Sequence, residues 1–344
     1  MKLEFDERGV PLISLEEGES AVAISDTHLG SRTRGERACD VEALCQFLQD
    51  LYEGRVKVGG RTLKRPSLLV LLGDILEFWC GDPDTVLRDL YPVARTILPV
   101  PSLKLYIAGN HDKIVGKIAL EAAKGELDFL VAPEYAILES GGKKFVLVHG
   151  HQFDSLFCRL GGLWKLESYL YSIAEGLRSL PGPSEWYLAA ISAASGAALL
   201  AYGELLGNIP DLVKPLVYAA PLILMLPLAV IILRKVQDKL WYLLLLPLSS
   251  LLGFKRAERL HPSELLERGL VRRWMEAVEL EADGVLFGHT HAPGIAVQNG
   301  LLAANAGSWI ARDELRTFLY VEEGEVLLVK FEEDSKYSLL DYLG

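Results

Sequence analysis

The sequence has no cysteine pair at zinc-finger or redox spacing. Its four cysteines, Cys39, Cys45, Cys80 and Cys158, are scattered. That excludes a closed structural zinc built on thiolates and reads as reduced, half-buried thiols of a cytoplasmic compartment. There is no basic excess either: 35 Lys and Arg stand against 46 Asp and Glu, a net charge of −11. An electrostatic grip on nucleic acid needs a basic face, so no nucleic-acid partner is expected. The opening residues "MKLEFDERGV" are too charged for a signal peptide. Asn and Gln are scarce beside Glu, Arg and Leu, a faint thermophile signature.

What the chain does have is apolar residues, half of its 344, with a mean hydropathy of +0.23. They are concentrated. "WYLAAISAASGAALLAYG" (186–203), "PLVYAAPLILMLPLAVIIL" (215–233) and "LWYLLLLPLSSLLGF" (240–254) fall within one stretch, 156–261. Nineteen helical residues cover about 28 Å, close to the hydrocarbon thickness of a bilayer. Two such runs could form a membrane hairpin, which returns the chain to the side it left. Arg178, Arg234, Lys235 and Lys239 flank the pair, while Glu204, Asp211 and Lys214 lie in its loop. That asymmetry predicts the cytoplasmic face of the membrane. Pro215, Pro221 and Pro227 would kink such a helix, and a soluble apolar lid is the competing reading.

Outside that stretch, buried strands are predicted at 20–25, 67–73, 103–109, 143–150 and 283–288, with helical spacing at 38–52 and 83–98. Ser263 is predicted to cap a helix running to about 281, and Glu323-Gly324 to turn a hairpin. The basic segment 54–67 reads as a solvated hairpin or loop. This pattern implies an α/β (α+β) layered fold, a β-sandwich flanked by helices. Its core would be 1–155 and 262–344, with 156–261 inserted as a helical lid or membrane hairpin.

Six of the seven histidines fall in short motifs at predicted strand ends. "SDTHLG" carries Asp26 and His28, "LLGDILEFW" Asp74, and "AGNHD" Asn110, His111 and Asp112. "VHGHQFD" carries His149 and His151, and "FGHTHAP" His289 and His291. D-x-H and H-x-H place two ligands on one side of an extended segment. Carboxylate, imidazole and amide oxygen in this mixture suit manganese, iron or zinc with five or six ligands. Two carboxylates, one Asn and four or more His exceed what one ion uses, so two divalent metal ions are expected.

In order and spacing these motifs resemble the calcineurin-like metallophosphoesterase superfamily over 20–155 and 283–320, including "NAGSW" (305–309) beside its "NPGS" turn. The resemblance implies Asp26, His28, Asp74 and His291 at one metal. It implies Asp74, Asn110, His149 and His289 at the other, with Asp74 bridging and manganese before iron or zinc. Two metals would lower the pKa of a shared water for attack on phosphorus. His111, held by Asp112, would then protonate the leaving oxygen. His151 and Asp82 are read as substrate contacts.

Within the superfamily, "GDILEFWCGDPD" (73–84) looks closest to the UDP-2,3-diacylglucosamine diphosphatase branch, which inserts an apolar lid in the same interval. His111 stands where that branch has Arg, and His151 where it commonly has Asp. The implied activity is hydrolysis of a phosphodiester or diphosphate in a lipid-linked substrate at the membrane. A membrane-anchored phosphodiesterase or nuclease for soluble nucleotides or nucleic acid is the rival reading. A non-catalytic membrane scaffold ranks below both.

Overall fold

The computed structural model describes residues 1–33, 36–78, 83–112, 119–121, 127–132, 134–153, 182–205, 219–225, 228, 260–311, 315–332 and 336–343. The chain divides into two compact units, Met1–Glu175 with Arg256–Gly344, and Gly176–Lys255.

Among its described residues the larger unit holds two large sheets. One runs, in spatial order, Ala119–Glu121, Leu127–Ala132, Leu103–Ile107, Leu68–Leu71, Ser20–Ile24, Thr317–Glu322, Glu325–Glu332 and Lys336–Leu343. The other runs Lys2–Phe5, Pro11–Ser14, Tyr135–Ser140, Lys143–Val148, Gly284–Phe287, Leu301–Asn305 and Gly294–Gln298. All five predicted strands are present, as is the hairpin between Thr317–Glu322 and Glu325–Glu332. The basic segment forms a small hairpin, Lys57–Val58 with Arg61–Thr62, turning on Gly59 and Gly60.

Side-chain alternation along the strands sets the layers. In Ser20–Ile24, Ala21 and Ala23 point to a core shared with Ala136, Leu138, Phe145, Leu147 and Leu286 of the second sheet. Val22 and Ile24 face the other way, into a cluster with Leu44, Phe47 and Leu48 of helix Val41–Glu53 and Val86 and Val93 of helix Pro83–Ile97. On the far side of the second sheet, Val146, Val285 and Phe287 pack with Leu265, Val271 and Met275. The result is helix, sheet, sheet, helix, with the central strands buried on both faces, which is why those strands read as continuous apolar runs.

One prediction is corrected. The cap near 263 is His261, whose side chain accepts from the Ser263 N–H while Glu264 reaches back to the His261 N–H. The helix it starts ends at Glu267, and a second helix, Leu270–Ala277, follows Gly269 at φ 65. A left-handed glycine interrupts the helical path that apolar spacing alone would continue.

In the smaller unit, Gly182–Leu205 is a 24-residue helix. A helical stretch at 219–225 lies close to it, and Ser192 Oγ donates to the Leu224 carbonyl at 2.6 Å. Tyr187, Ile191, Leu222 and Ile223 are exposed. No helix among the described residues is long and apolar enough to cross a membrane. Most of 156–261, including 240–254 and most of 215–233, lies outside the described residues.

Candidate metal centre

Each histidine or aspartate motif follows a strand: Asp26 and His28 after Ser20–Ile24, and Asp74 after Leu68–Leu71. Asn110, His111 and Asp112 follow Leu103–Ile107, His149 follows Lys143–Val148, and His289 and His291 follow Gly284–Phe287. The segments stay laced beyond the strands. Asp26 N donates to Gly73 O at 3.2 Å, His28 N to Asp74 O at 2.9 Å, and Gly288 N to His149 O at 2.8 Å. Ends of neighbouring parallel strands thus open onto one crevice.

The ligand-type atoms gather in three groups, Asp26 with His28 and His291, Asp74 with His149 and His289, and His28 with Glu77 and His111. His291 Nε2 is 3.3 Å from Asp26 Oδ1, and His28 Nε2 is 3.8 Å from the same oxygen. His149 Nε2 lies 3.2 Å from Asp74 Oδ2 and 3.2 Å from Asn110 Oδ1. Asp74 Oδ2 is also 3.9 Å from His28 Nε2, so this one oxygen faces both of the first two groups.

The pairs are not extended, contrary to the D-x-H and H-x-H expectation. Asp26, His28, Asp74, His289 and His291 all sit at φ between 46° and 64°. These left-handed kinks, costly for residues with a Cβ, aim the side chains. They send His289 to the Asp74 group and His291 to the Asp26 group instead of placing them side by side. His151 begins a short 3-10 turn, His151–Phe153, and its buried ring centres 5.6 Å from His149 and 6.2 Å from His289.

Supporting hydrogen bonds fix which atom each ligand presents. Asp26 Oδ2 accepts from Ser25 Oγ at 2.5 Å and from His289 N at 2.8 Å, leaving Oδ1 to the crevice. His149 Nδ1 meets the Leu72 carbonyl at 2.7 Å, and His28 Nδ1 meets Glu77 Oε2 at 3.0 Å. Partners of this kind set the tautomer of metal-binding imidazoles. Asn305 Nδ2 donates to Gly288 O at 2.7 Å and Thr290 Oγ1 at 2.9 Å, clamping the His289–His291 loop.

Asp26 Oδ1 and His28 Nε2 are buried without a hydrogen-bond partner. An unpaired carboxylate oxygen facing an unpaired imidazole nitrogen would be costly in a plain core. A divalent cation between them satisfies both, so the donor set fits a metal. The charges agree. Burial opposes ionisation of Asp26, yet His291 and His28 hold its carboxyl well below the usual range. Burial likewise opposes the charge on Asp74, and His149, His111 and His28 outweigh it. Burial disfavours a charged His149, but Asp74 and Asp26 push it up to about 9. The carboxylates draw positive charge into the crevice.

Two expectations about His111 change. Asp112 does not hold its ring. The buried Asp112 carboxylate accepts from the backbone N–H groups of Gly109, Ile75 and Leu76 and from the Tyr106 hydroxyl, pinning the loop. Burial beside Asp74 raises its pKa. The His111 ring instead meets Glu77, which sequence reasoning passes over although it lies three residues past Asp74. Asp82 lies outside the described residues.

Residues 20–187 match the family described as Metallophos, calcineurin-like phosphoesterase. Over those residues the chain is similar to the calcineurin-like phosphoesterase family, which uses divalent metals. Among curated relatives, a UDP-2,3-diacylglucosamine hydrolase of Ralstonia nicotianae is 32% identical over 85 residues, 24% of this chain and 30% of the relative. One of Escherichia coli is 26% identical over 109 residues, 31% of this chain and 44% of the relative. The chain thus spans less than half the length of these relatives. Among solved structures, vacuolar protein sorting 29 of Cryptosporidium parvum aligns over 96% of this chain and 100% of its own. Its TM-score is 0.39 at 11% identity, too slight a likeness to bear on function.

Proposed function

We propose that the chain is a dinuclear metal-dependent phosphoesterase that cleaves a phosphodiester or diphosphate bond in a lipid-linked substrate at the cytoplasmic face of a membrane. The observation that carries the dinuclear reading is the place of Asp74. Its Oδ2 lies 3.2 Å from His149 Nε2 and 3.9 Å from His28 Nε2, between two ligand groups. In this reading Asp26, His28, Asp74 and His291 hold one ion, and Asp74, Asn110, His149 and His289 hold the other. When bound, two divalent ions supply Lewis acidity toward phosphoryl oxygens and an acidified water.

The chain's own residues orient and protonate. His111 Nε2 lies 4.0 Å from Asp74 Oδ2 with the ring partly open to solvent, where it can hand a proton to the leaving oxygen. His151, beside both His149 and His289, meets the substrate. The lipid reading draws support from the relatives named UDP-2,3-diacylglucosamine hydrolase. Exposed Tyr187, Ile191, Leu222 and Ile223 of the smaller unit support the membrane part of the reading, as an apolar surface for lipid.

The test is hydrolysis of bis(p-nitrophenyl) phosphate and of UDP-2,3-diacylglucosamine in detergent, after chelation and with manganese restored. Hydrolysis of both should return with manganese, and the acylated substrate should be preferred over its deacylated counterpart. Turnover that survives chelation unchanged would sink the metal reading. Equal turnover of acylated and deacylated substrates would sink the lipid one.

A further inference from the structure

Past His28 the chain forms a strap that returns at Cys39, and both of its ends are tied to the backbone of the metal centre. Ser31 N donates to the His28 carbonyl at 3.0 Å, and Ala38 N donates to the Ser31 carbonyl at 3.0 Å. Cys39 forms a bridge with Ile310, next to Trp309, whose N–H donates to the Asp26 carbonyl at 3.1 Å. Between these ties lies a short antiparallel ladder, Arg32–Thr33 with Glu36–Arg37, in which Arg32 stands directly opposite Arg37. Two arginines therefore stand in register on a strap rooted at the crevice.

Like charges directly opposite one another weaken a ladder. Asp89 meets both guanidinium groups, but it supplies one negative charge for two positive ones. The split is unequal. Arg32 uses both terminal nitrogens on Asp89, and Nη1 also donates to the Ser31 carbonyl. Arg37 approaches Asp89 through Nε, at 3.1 Å, with its side chain 46% exposed. Its terminal nitrogens meet no acceptor among the described residues. The planar fork of a guanidinium matches two phosphate oxygens at once. In a chain of net charge −11, an open fork on the crevice strap is a local exception.

We propose that Arg37 is a specificity residue that binds a second phosphoryl group of the substrate, beside the one that is attacked, so that the crevice favours diphosphates over simple diesters. The inference rests on the reading of the crevice as a phosphoesterase site and chooses between the two kinds of bond named there. Arg32, held by Asp89, shapes the strap, and Arg37 meets the ligand.

The experiment measures kcat and KM with manganese on three substrates, for the parent, Arg37→Gln and Arg37→Lys. Bis(p-nitrophenyl) phosphate has a single phosphorus, ADP-ribose is a soluble diphosphate, and UDP-2,3-diacylglucosamine in detergent is a lipid-linked one. The readout is kcat/KM on each diphosphate divided by that on the diester. A general loosening of the strap lowers all three activities and cancels in this ratio. A charge-assisted contact is worth about 10- to 100-fold.

R37Q should lower the ratio about tenfold or more, through KM, on each diphosphate that the parent hydrolyses. R37K keeps the charge without the fork and should fall between R37Q and the parent. A loss on both diphosphates supports recognition of the phosphoryl group whatever carries it, and a loss on the lipid-linked one alone assigns the contact to that substrate. A parent-like ratio in a folded R37Q would overturn the proposal. So would a parent that hydrolyses the diester but neither diphosphate, which would leave the phosphoesterase reading standing. A parent inactive on all three would overturn that reading and this inference with it.

Discussion

Arg32 grips the buried carboxylate of Asp89 with both terminal nitrogens, Nη1 at 2.6 Å from Oδ2 and Nη2 at 3.1 Å from Oδ1. The same carboxylate accepts from Gly30 N at 3.2 Å and from Arg37 Nε at 3.1 Å. Asp89 lies on helix Pro83–Ile97 and its partners on the segment that follows His28, so the cluster ties that segment to the helix. Asp89→Ala leaves a half-buried guanidinium and a buried backbone N–H without their acceptor, at a cost of about 1–3 kcal/mol. A clear fall in Tm is expected, and one within about 1 °C of the parent would contradict it.

Gly109 allows a close approach that no other residue could make. A Cβ there would run into the Asp74 carboxylate and come within 2.5 Å of the Asp74 backbone nitrogen. Since Asp74 is tied by its own backbone, Gly109→Ala should displace the carboxylate. A misplacement of about 1 Å at a reacting centre costs about 100-fold. The variant should fold, by circular dichroism, and lose metal-dependent hydrolysis by that order. Full activity would contradict the placement of Asp74 at the centre, as would full activity in Asp74→Asn or His289→Ala.

Glu322, 3% exposed, accepts from Lys64 Nζ at 2.6 Å and the Tyr320 hydroxyl at 2.8 Å and pairs with Arg61. Burial pushes its carboxyl up, but Lys64, Tyr320 and Arg61 outweigh that and hold it below the usual range. A depressed folded pKa gives stability that is present above the unfolded value of about 4.3 and is lost as pH falls through the folded value. Glu322→Gln should therefore lower Tm at neutral pH, and the deficit should shrink in acid below about pH 4. A deficit that stayed constant into strong acid would contradict this account.

The exposed Ile191, Leu222 and Ile223 give the lipid reading its own handle. Each methylene kept from water is worth about 0.8 kcal/mol. Replacing the three with Glu should weaken binding to phospholipid vesicles by about tenfold or more. Hydrolysis of bis(p-nitrophenyl) phosphate should stay at the parent rate. Parent-like vesicle binding in the folded variant would contradict the membrane reading.

Much of the fold was legible because its strands are buried on both faces, as at Ser20–Ile24 and Leu68–Leu71, where every residue is apolar or small. The edge strand Lys2–Phe5 was not, because it is largely exposed and its composition reads as a charged terminus. The site residues were legible as donor types at strand ends. Their directions were not, because a left-handed φ at His289 or His291 leaves no mark in the alternation of the sequence. Nor was the exchange of roles between Asp112 and Glu77. Asp112 is next to His111 in the chain and braces backbone, while Glu77 is 34 residues away and braces the ring.

Those left-handed angles have a further consequence. Asp26, His28, Asp74, His289 and His291 are five of the nine non-glycine residues with positive φ among the described residues. Each such backbone costs about 1 kcal/mol or more for a side chain with a Cβ. Heat alone, as a selective pressure, would favour glycine at every one of them. Random libraries sorted only for thermal endurance should thus drift toward inert proteins as glycine replaces these five. A lineage that keeps them is one in which the crevice has been used without interruption.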